Sequence, residues 1–199
     1  MRSFAIVPAA GQSRRMGRPK LLLPWGRWPT LLDAVLVAWR NTSVHHICCV
    51  ARADDLDIQK VCLAHHVDCV AADPPPPEMK ASVARGLDYV ERQYRPEPGD
   101  AWLLAPADQP HIDAALVARL LDEHRRGSDE ILVPVHGERR GHPVLFPWPL
   151  ATAVHELADD EGVNAIVRRG PCRHIAWTDP QILEDIDTPE DYERLRPDR

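Results

Sequence analysis

The stretch Phe4-Ala5-Ile6-Val7-Pro8-Ala9-Ala10-Gly11-Gln12-Ser13-Arg14-Arg15-Met16-Gly17-Arg18-Pro19-Lys20 decides how the 199-residue chain is read. Its first four residues are an unbroken apolar run, the pattern of a strand buried on both faces. Small residues follow at once, then Arg14, Arg15, Arg18 and Lys20. Small side chains let the backbone approach a phosphate, backbone N–H groups donate to its oxygens, and the cations offset charge that amides cannot. In chemical terms this is a phosphate-binding loop at the carboxyl end of a strand. It is not a P-loop: Gly11 and Gly17 stand one residue too far apart, and leucine follows Lys20. Gln12-Ser13 likewise break the G-x-G-x-x-G spacing.

Outward from this loop, apolar runs alternate with amphipathic stretches. Residues 30 to 41 read as a helix, Ile47 to Ala51 as a strand, 54 to 65 as a helix opened by Asp54 and Asp55, and Val67 to Ala71 as a strand. After the proline run Pro74 to Pro77, residues 79 to 94 return to helical periodicity. Ala101 to Ala105 reads as a central strand, and Asp113 caps a helix to about Arg126. Strands near Ile131 to Pro134 and Pro143 to Phe146 flank a polar loop, which predicts a hairpin or an excursion from the sheet. Helical stretches near 149 to 158 and 162 to 169 precede a strand at His174 to Trp177. Thr188 as cap, Pro189 at the first helical position and Asp191 in the first turn open the last helix. The alternation predicts a single domain over 1–199 with a three-layer α/β/α, Rossmann-like fold and a mostly parallel sheet. Ligands of such sheets bind beyond the carboxyl ends of the strands. The loops after Val7, Ala105 and Trp177 are therefore expected to converge.

Composition narrows the function. Proline is abundant at 20 residues, but with 44% hydrophobic and 27% charged residues the chain is a globular domain rather than a low-complexity one. The formal net charge is −6, yet the first acid is Asp33, and six basic residues precede it. A local anion site fits that asymmetry better than a nucleic-acid face, which an acidic chain serves poorly. No apolar run is long enough to span a bilayer, so no membrane partner is expected. The basic cluster follows the apolar start, the reverse of a secretory signal, which predicts a cytoplasmic protein. The five cysteines form no C-x-x-C pair, and read as buried small hydrophobes. The paired histidines His45-His46 and His65-His66 diverge in direction and lack a third ligand, so they read as element ends rather than metal sites.

Two acidic segments bear on chemistry. Asp108 stands in Ala107-Asp108-Gln109-Pro110 at the end of the central strand, and Asp187 in Asp185-Ile186-Asp187-Thr188-Pro189-Glu190-Asp191. Alone, the first reads as an aspartate turn before proline, and the second needs only one or two acids to start a helix. Nucleotidyl transfer requires a divalent cation held by carboxylates and an in-line acceptor, and a basic loop facing two carboxylates suits a magnesium triphosphate. Asp185, two residues from Asp187, falls on the same face of an extended chain.

Ala9-Ala10-Gly11-x-Ser13-x-Arg15-Met16-Gly17-x-Pro19-Lys20, followed by Leu22-Leu23-Pro24-Trp25, resembles the opening of the MobA/MocA-type nucleotidyltransferases, above all their molybdenum cofactor cytidylyltransferase branch. The resemblance continues to the last helix. It implies a nucleotide-diphospho-sugar transferase type of fold and an enzyme that transfers CMP from CTP to the phosphate of molybdopterin, releasing pyrophosphate. Ala9-Ala10-Gly11 is similar to the cytidylyl branch, where the guanylyl branch reads Ala-Gly-Gly. By this resemblance Ala9, Ala10, Gly11, Ser13, Arg14, Arg15, Gly17 and Lys20 bind the nucleotide, Arg15, Lys20 and Asp108 are catalytic, and Asp108 and Asp187 hold Mg2+. Ser82, in a segment similar to the family's Ser-x-x-x-Gly-Leu, approaches base and ribose. Arg140, Gly141 and His142 match its Gly-His-Pro segment on the acceptor side, although a lone histidine before proline also reads as structural. A molybdoenzyme or its chaperone is a further implied partner. Three other readings stay open: another phosphorylated acceptor such as a sugar 1-phosphate or phospholactate; an NAD(P)-dependent oxidoreductase, which would not need Asp108 or Asp187; and a catalytically silent nucleotide-binding module, against which the intact acidic and basic residues argue.

Overall fold

The computed structural model describes residues 1–198. In chain order it contains β1 (Ser3–Pro8), α1 (Leu31–Arg40), β2 (His46–Arg52), α2 (Leu56–Ala64), β3 (Asp68–Ala72), α3 (Met79–Tyr94), β4 (Ala101–Leu104) and α4 (Ala114–Arg125). Then follow β5 (Ile131–His136), β6 (Arg139–Arg140), β7 (Val144–Pro147), α5 (Thr152–His155), α6 (Asn164–Arg169), β8 (Cys172–Ala176) and α7 (Pro189–Leu195).

The sheet runs β3-β2-β1-β4-β7-β5, with β6 and β8 both pairing β5. Strands β1 to β4 are parallel, β8 is parallel to β5, and β7 is antiparallel to both neighbours. The two strands expected to flank a polar loop, β5 and β7, pair antiparallel at Leu132 and Leu145, and the loop between them forms the β5–β6 turn. The fold is the mostly parallel, helix-covered sheet that the alternation predicts. β1 lies at its centre and buries both faces: Phe4 and Ile6 pack with Val83 and Trp102, while Ala5 and Val7 pack with Leu36 and Leu116. α3 crosses β1 and β2 at Gly86. A Cβ there would come 3.1 Å from methyls of Ile6 and Val50, so glycine sets how closely this helix lies on the sheet.

Capping chemistry fixes where several helices begin. Thr30, Asp55 and Asp113 each accept a backbone N–H of the first turn. Thr188 and Asp191 close a reciprocal capping box at α7, with Pro189 in the first turn. Two expectations need correction. The helix expected near 149 to 158 is a 3-10 turn over Trp148–Ala151 followed by one α turn. Beyond it, Lys80 Nζ donates to the carbonyls of Ala158 (2.6 Å) and Asp159 (3.1 Å), which hold the chain in a loop. The last strand begins two residues earlier than expected, because Cys172 pairs with Ile131 at the start of β5.

Candidate active site

Three loops meet beyond the carboxyl ends of β1 and β4, and backbone hydrogen bonds pin them together. Ala9 N donates to Val50 O, Ala107 N to Pro8 O, and Ile186 N to Asp108 O, at 2.8, 3.1 and 3.1 Å. The basic loop is anchored by Met16 and Leu21, which are buried in the core. Ser13 takes a positive φ of 51°, its carbonyl accepts the N–H of Met16 and Gly17, and its Oγ accepts the N–H of Lys20 at 3.2 Å. Gly17, at φ +68°, completes the turn. That conformation favours glycine, and it turns the chain so that Arg15 and Lys20 both reach the acidic loops.

Lys20 is the centre of the arrangement. Its Nζ donates to Asp108 Oδ2 at 2.6 Å and to Asp187 Oδ1 at 3.1 Å, and Arg15 contacts Asp187 Oδ2 at 2.8 Å. Burial alone would lower the Lys20 pKa, but Asp108 and Asp187 hold it above its usual value. The ammonium is therefore permanently charged at neutral pH. Asp185 lies within the field of the same acids: partial burial, then Asp187 and Asp108, push its carboxyl up.

Around this cluster lies a cleft of about 280 Å³ lined by Ala9, Gly11, Ser13, Arg14, Arg15, Lys20, Asp108 and Asp187, among others. It shares Pro8, Gly11, Arg14 and Asp108 with a neighbouring cleft of about 660 Å³, which adds Ala10, the proline run Pro75–Pro77, Met79, Ser82 and Pro106. The first part gathers the cations and carboxylates; the second adds the proline run and Met79 alongside polar groups such as Gln12, Glu78 and Ser82, the last in the first turn of α3. The structure brings together every residue expected around the nucleotide except Gly17, which shapes the turn without lining either part.

The three residues expected on the acceptor side lie apart from it. Among the described residues, none of them lines either part of the cleft. Arg140 is exposed on β6. Gly141 is buried against the segment before Asp185, where a Cβ would come 2.6 Å from Ile182 O, so its lack of a side chain is a packing requirement. His142 donates its backbone N–H to Ile182 O at 2.9 Å, and its ring pairs with Gln109, the residue after Asp108. Burial pushes the His142 pKa down to about 4, which makes the ring neutral at physiological pH. Gln109 is a residue that composition and periodicity do not single out; its position beside Asp108 in the Asp-x-Pro turn is the signal the sequence holds for it.

The other candidate ligands go elsewhere. His65 pairs with Asp33 at 2.7 Å and His45 with Ser3 at 2.9 Å. All five cysteines are free, with Cys48, Cys49 and Cys62 buried. Among the described residues, no helix is long and apolar enough to cross a membrane.

The chain matches the family model described as the MobA-like NTP transferase domain over residues 5–175. It is 21% identical to the molybdenum cofactor cytidylyltransferase of Escherichia coli, over 94% of this chain and 92% of that one. It is 20% identical to a probable molybdenum cofactor guanylyltransferase of Bacillus mycoides, over 97% and 95% of the two chains. Among solved structures, Rv0371c of Mycobacterium tuberculosis superposes with a TM-score of 0.82 at 28% identity, covering 98% of each chain. A second structure of that protein, at 26% identity with a TM-score of 0.78 and the same coverage, is its complex with manganese.

Proposed function

Because the chain belongs to the MobA-like NTP transferase family and is thereby a nucleotidyltransferase, we propose that it transfers CMP from CTP to the phosphate of a small acceptor of the molybdopterin type. Pyrophosphate would leave and Mg2+ would be the metal. The observation that carries this reading is the Lys20 ammonium shared between Asp108 and Asp187 in a cleft lined by the basic Gly11–Lys20 loop.

The residues present fit a magnesium ion. Asp108 and Asp187 already converge on one cationic atom, and Mg2+ is commonly held by one or two carboxylates with substrate phosphates and water filling its other positions. Bound there, the metal would neutralise the phosphate oxygens and orient them for in-line attack.

The protein's own groups then have separable tasks. Backbone N–H groups of the Gly11 to Ser13 segment, with Arg14 and Arg15, receive the triphosphate. Lys20 leaves the carboxylates to follow the phosphates and stabilises the charge that develops on departing pyrophosphate. The acceptor phosphate is ionised near neutral pH, so no residue has to remove its proton. Ser82 and the proline run enclose base and ribose, and the side of the cleft toward Asp185 and His142 receives the acceptor. The Ala9-Ala10-Gly11 segment, similar to the cytidylyl branch, supports CTP over GTP.

The test is pyrophosphate release from CTP, GTP and ATP with Mg2+ and molybdopterin as acceptor. Turnover with CTP well above that with GTP is expected. Turnover with GTP alone would overturn the base assignment, and turnover only with another phosphorylated acceptor would overturn the acceptor.

A further inference from the structure

Gln109 has no task in the reading above, yet it is placed as a functional side chain would be. It directly follows Asp108, is 7% exposed, and its backbone N–H donates to Pro106 O at 3.3 Å. Its Nε2 lies 3.0 Å from His142 Nδ1, while its Oε1 is buried without a hydrogen-bond partner. This contact joins the loop of Asp108 to the connection between β6 and β7, the segment that the resemblance places on the acceptor side.

The pairing specifies a tautomer. An amide N–H donates only to a ring nitrogen that carries no proton. Were Nδ1 protonated, the amide would have to turn its oxygen toward the ring, and its two N–H donors would be buried without acceptors. A stranded carbonyl oxygen is the more tolerable of the two arrangements. A neutral imidazole with a bare Nδ1 carries its proton on Nε2. The ring is neutral at physiological pH because burial opposes its charged form, even though Asp185 faces it.

We propose that Gln109 is a positioning residue: its amide holds His142 in the Nε2–H tautomer, so that the imidazole serves the acceptor side as a neutral hydrogen-bond donor rather than as a proton acceptor. The inference rests on the placement of His142 on the acceptor side. Its consequence is a preference for an acceptor that presents an oxygen, whether phosphate or carbonyl, to the imidazole. It also couples the two halves of the reaction mechanically, since the peptide that carries Asp108 also carries the amide that orients His142.

The experiment uses the full chain labelled with 15N-histidine. Long-range proton–nitrogen spectra at pH 7 distinguish the tautomers, and His142→Gln identifies the His142 signals among the ten histidines. The wild type is expected to show Nε2–H. Gln109→Glu replaces the donor with an acceptor and is expected to move the proton to Nδ1 or to protonate the ring; Gln109→Leu is expected to give a mixture. In steady state, Gln109→Glu should raise KM for the acceptor about ten-fold and leave KM for the nucleotide within about two-fold. A wild-type Nδ1–H tautomer, a Gln109→Glu spectrum unchanged from wild type, or equal shifts in the two KM values would overturn the proposal. A wild type that shows the expected tautomer and its expected shift but transfers to no phosphorylated acceptor would instead sink the acceptor-side reading and leave the Gln109–His142 coupling supported.

Discussion

Arg2 before the amino end of β1 and Lys20 beyond its carboxyl end each bind an aspartate that flanks β4, and the two pairs are finished differently. At the amino end every polar group is used. The Arg2 guanidinium donates to Asp100 at 2.9 and 3.1 Å and to the carbonyls of Tyr94 and Arg95, while Asp100 also accepts the backbone N–H of Arg2 and Glu97. The Asp100 side chain is 4% exposed. At the carboxyl end one ammonium is divided between two carboxylates that are 20% and 22% exposed, and the space above them is open. A basic side chain paired with aspartate makes a latch where a guanidinium saturates the hydrogen bonding and a binding site where an ammonium leaves capacity over. The Lys20 cluster is held by its surroundings; the Arg2 cluster holds its surroundings.

Substitutions can break this contrast. The largest effect is expected for Asp108→Asn, which keeps the shape but removes a metal-holding charge. Metal-dependent pyrophosphate release should fall about a thousand-fold, or about 4 kcal/mol in activation free energy, with the unfolding midpoint close to wild type. A marked loss of stability with turnover intact would reverse the assignment of the two ends.

Next in size is Asp100→Ala, expected to lower stability by about 3 kcal/mol in denaturant titration because it opens a gap at a buried carboxylate and takes the acceptor from the backbone N–H groups of Arg2 and Glu97 as well as from the guanidinium, while turnover per folded molecule is unchanged. The pH dependence gives a second reading. Burial pushes the Asp100 carboxyl up, but the N–H groups of Arg2 and Glu97 and the guanidinium outweigh it, and the pKa lies below its ordinary 3.8. A depressed carboxylate stabilises fully above its unfolded value and loses that contribution as pH falls through the folded one. Asp100→Ala should therefore remove part of the wild type's loss of stability below pH 3.8.

The smallest of the three is Lys20→Met, expected to reduce kcat about a hundred-fold, the scale of losing one charge-stabilising donor. Without nucleotide it should bind Mn2+ more tightly than wild type, since the ammonium no longer competes for Asp108 and Asp187. Free Mn2+ read by electron paramagnetic resonance measures this without turnover. Unchanged Mn2+ affinity would mean that the carboxylates are not the cation's site.

Local patterns were legible in the sequence where they had local causes. The span of α3 is the one its periodicity predicts, and the Asp113 and Thr188 caps sit where their side chains can reach first-turn N–H groups. The placement of the Gly11 loop after a doubly buried strand follows from the apolar run that precedes it. What the pattern could not show depends on contacts distant along the chain. Arg2 meets Asp100 across 98 residues, and Lys20 meets Asp187 across 167. Neither pairing leaves a periodic trace. Gly141 shows the same limit from the other side. Its motif suggests close approach to a ligand, whereas the neighbour that excludes a Cβ is Ile182, whose proximity depends on the path of the chain after β8.

The bond from Ile186 N to Asp108 O ties the completeness of the cleft to one late segment of the sequence. It joins residues 78 positions apart, and closing a loop of that length costs entropy before any contact repays it. It also brings the Asp108 and Asp187 loops side by side, an approach that the like charges of the two aspartates resist. Lys20 supplies the intervening cation. The cleft is therefore complete only when the Asp185–Asp191 segment is docked: with that segment displaced, Lys20 keeps Asp108 and loses Asp187, the second of its two carboxylates.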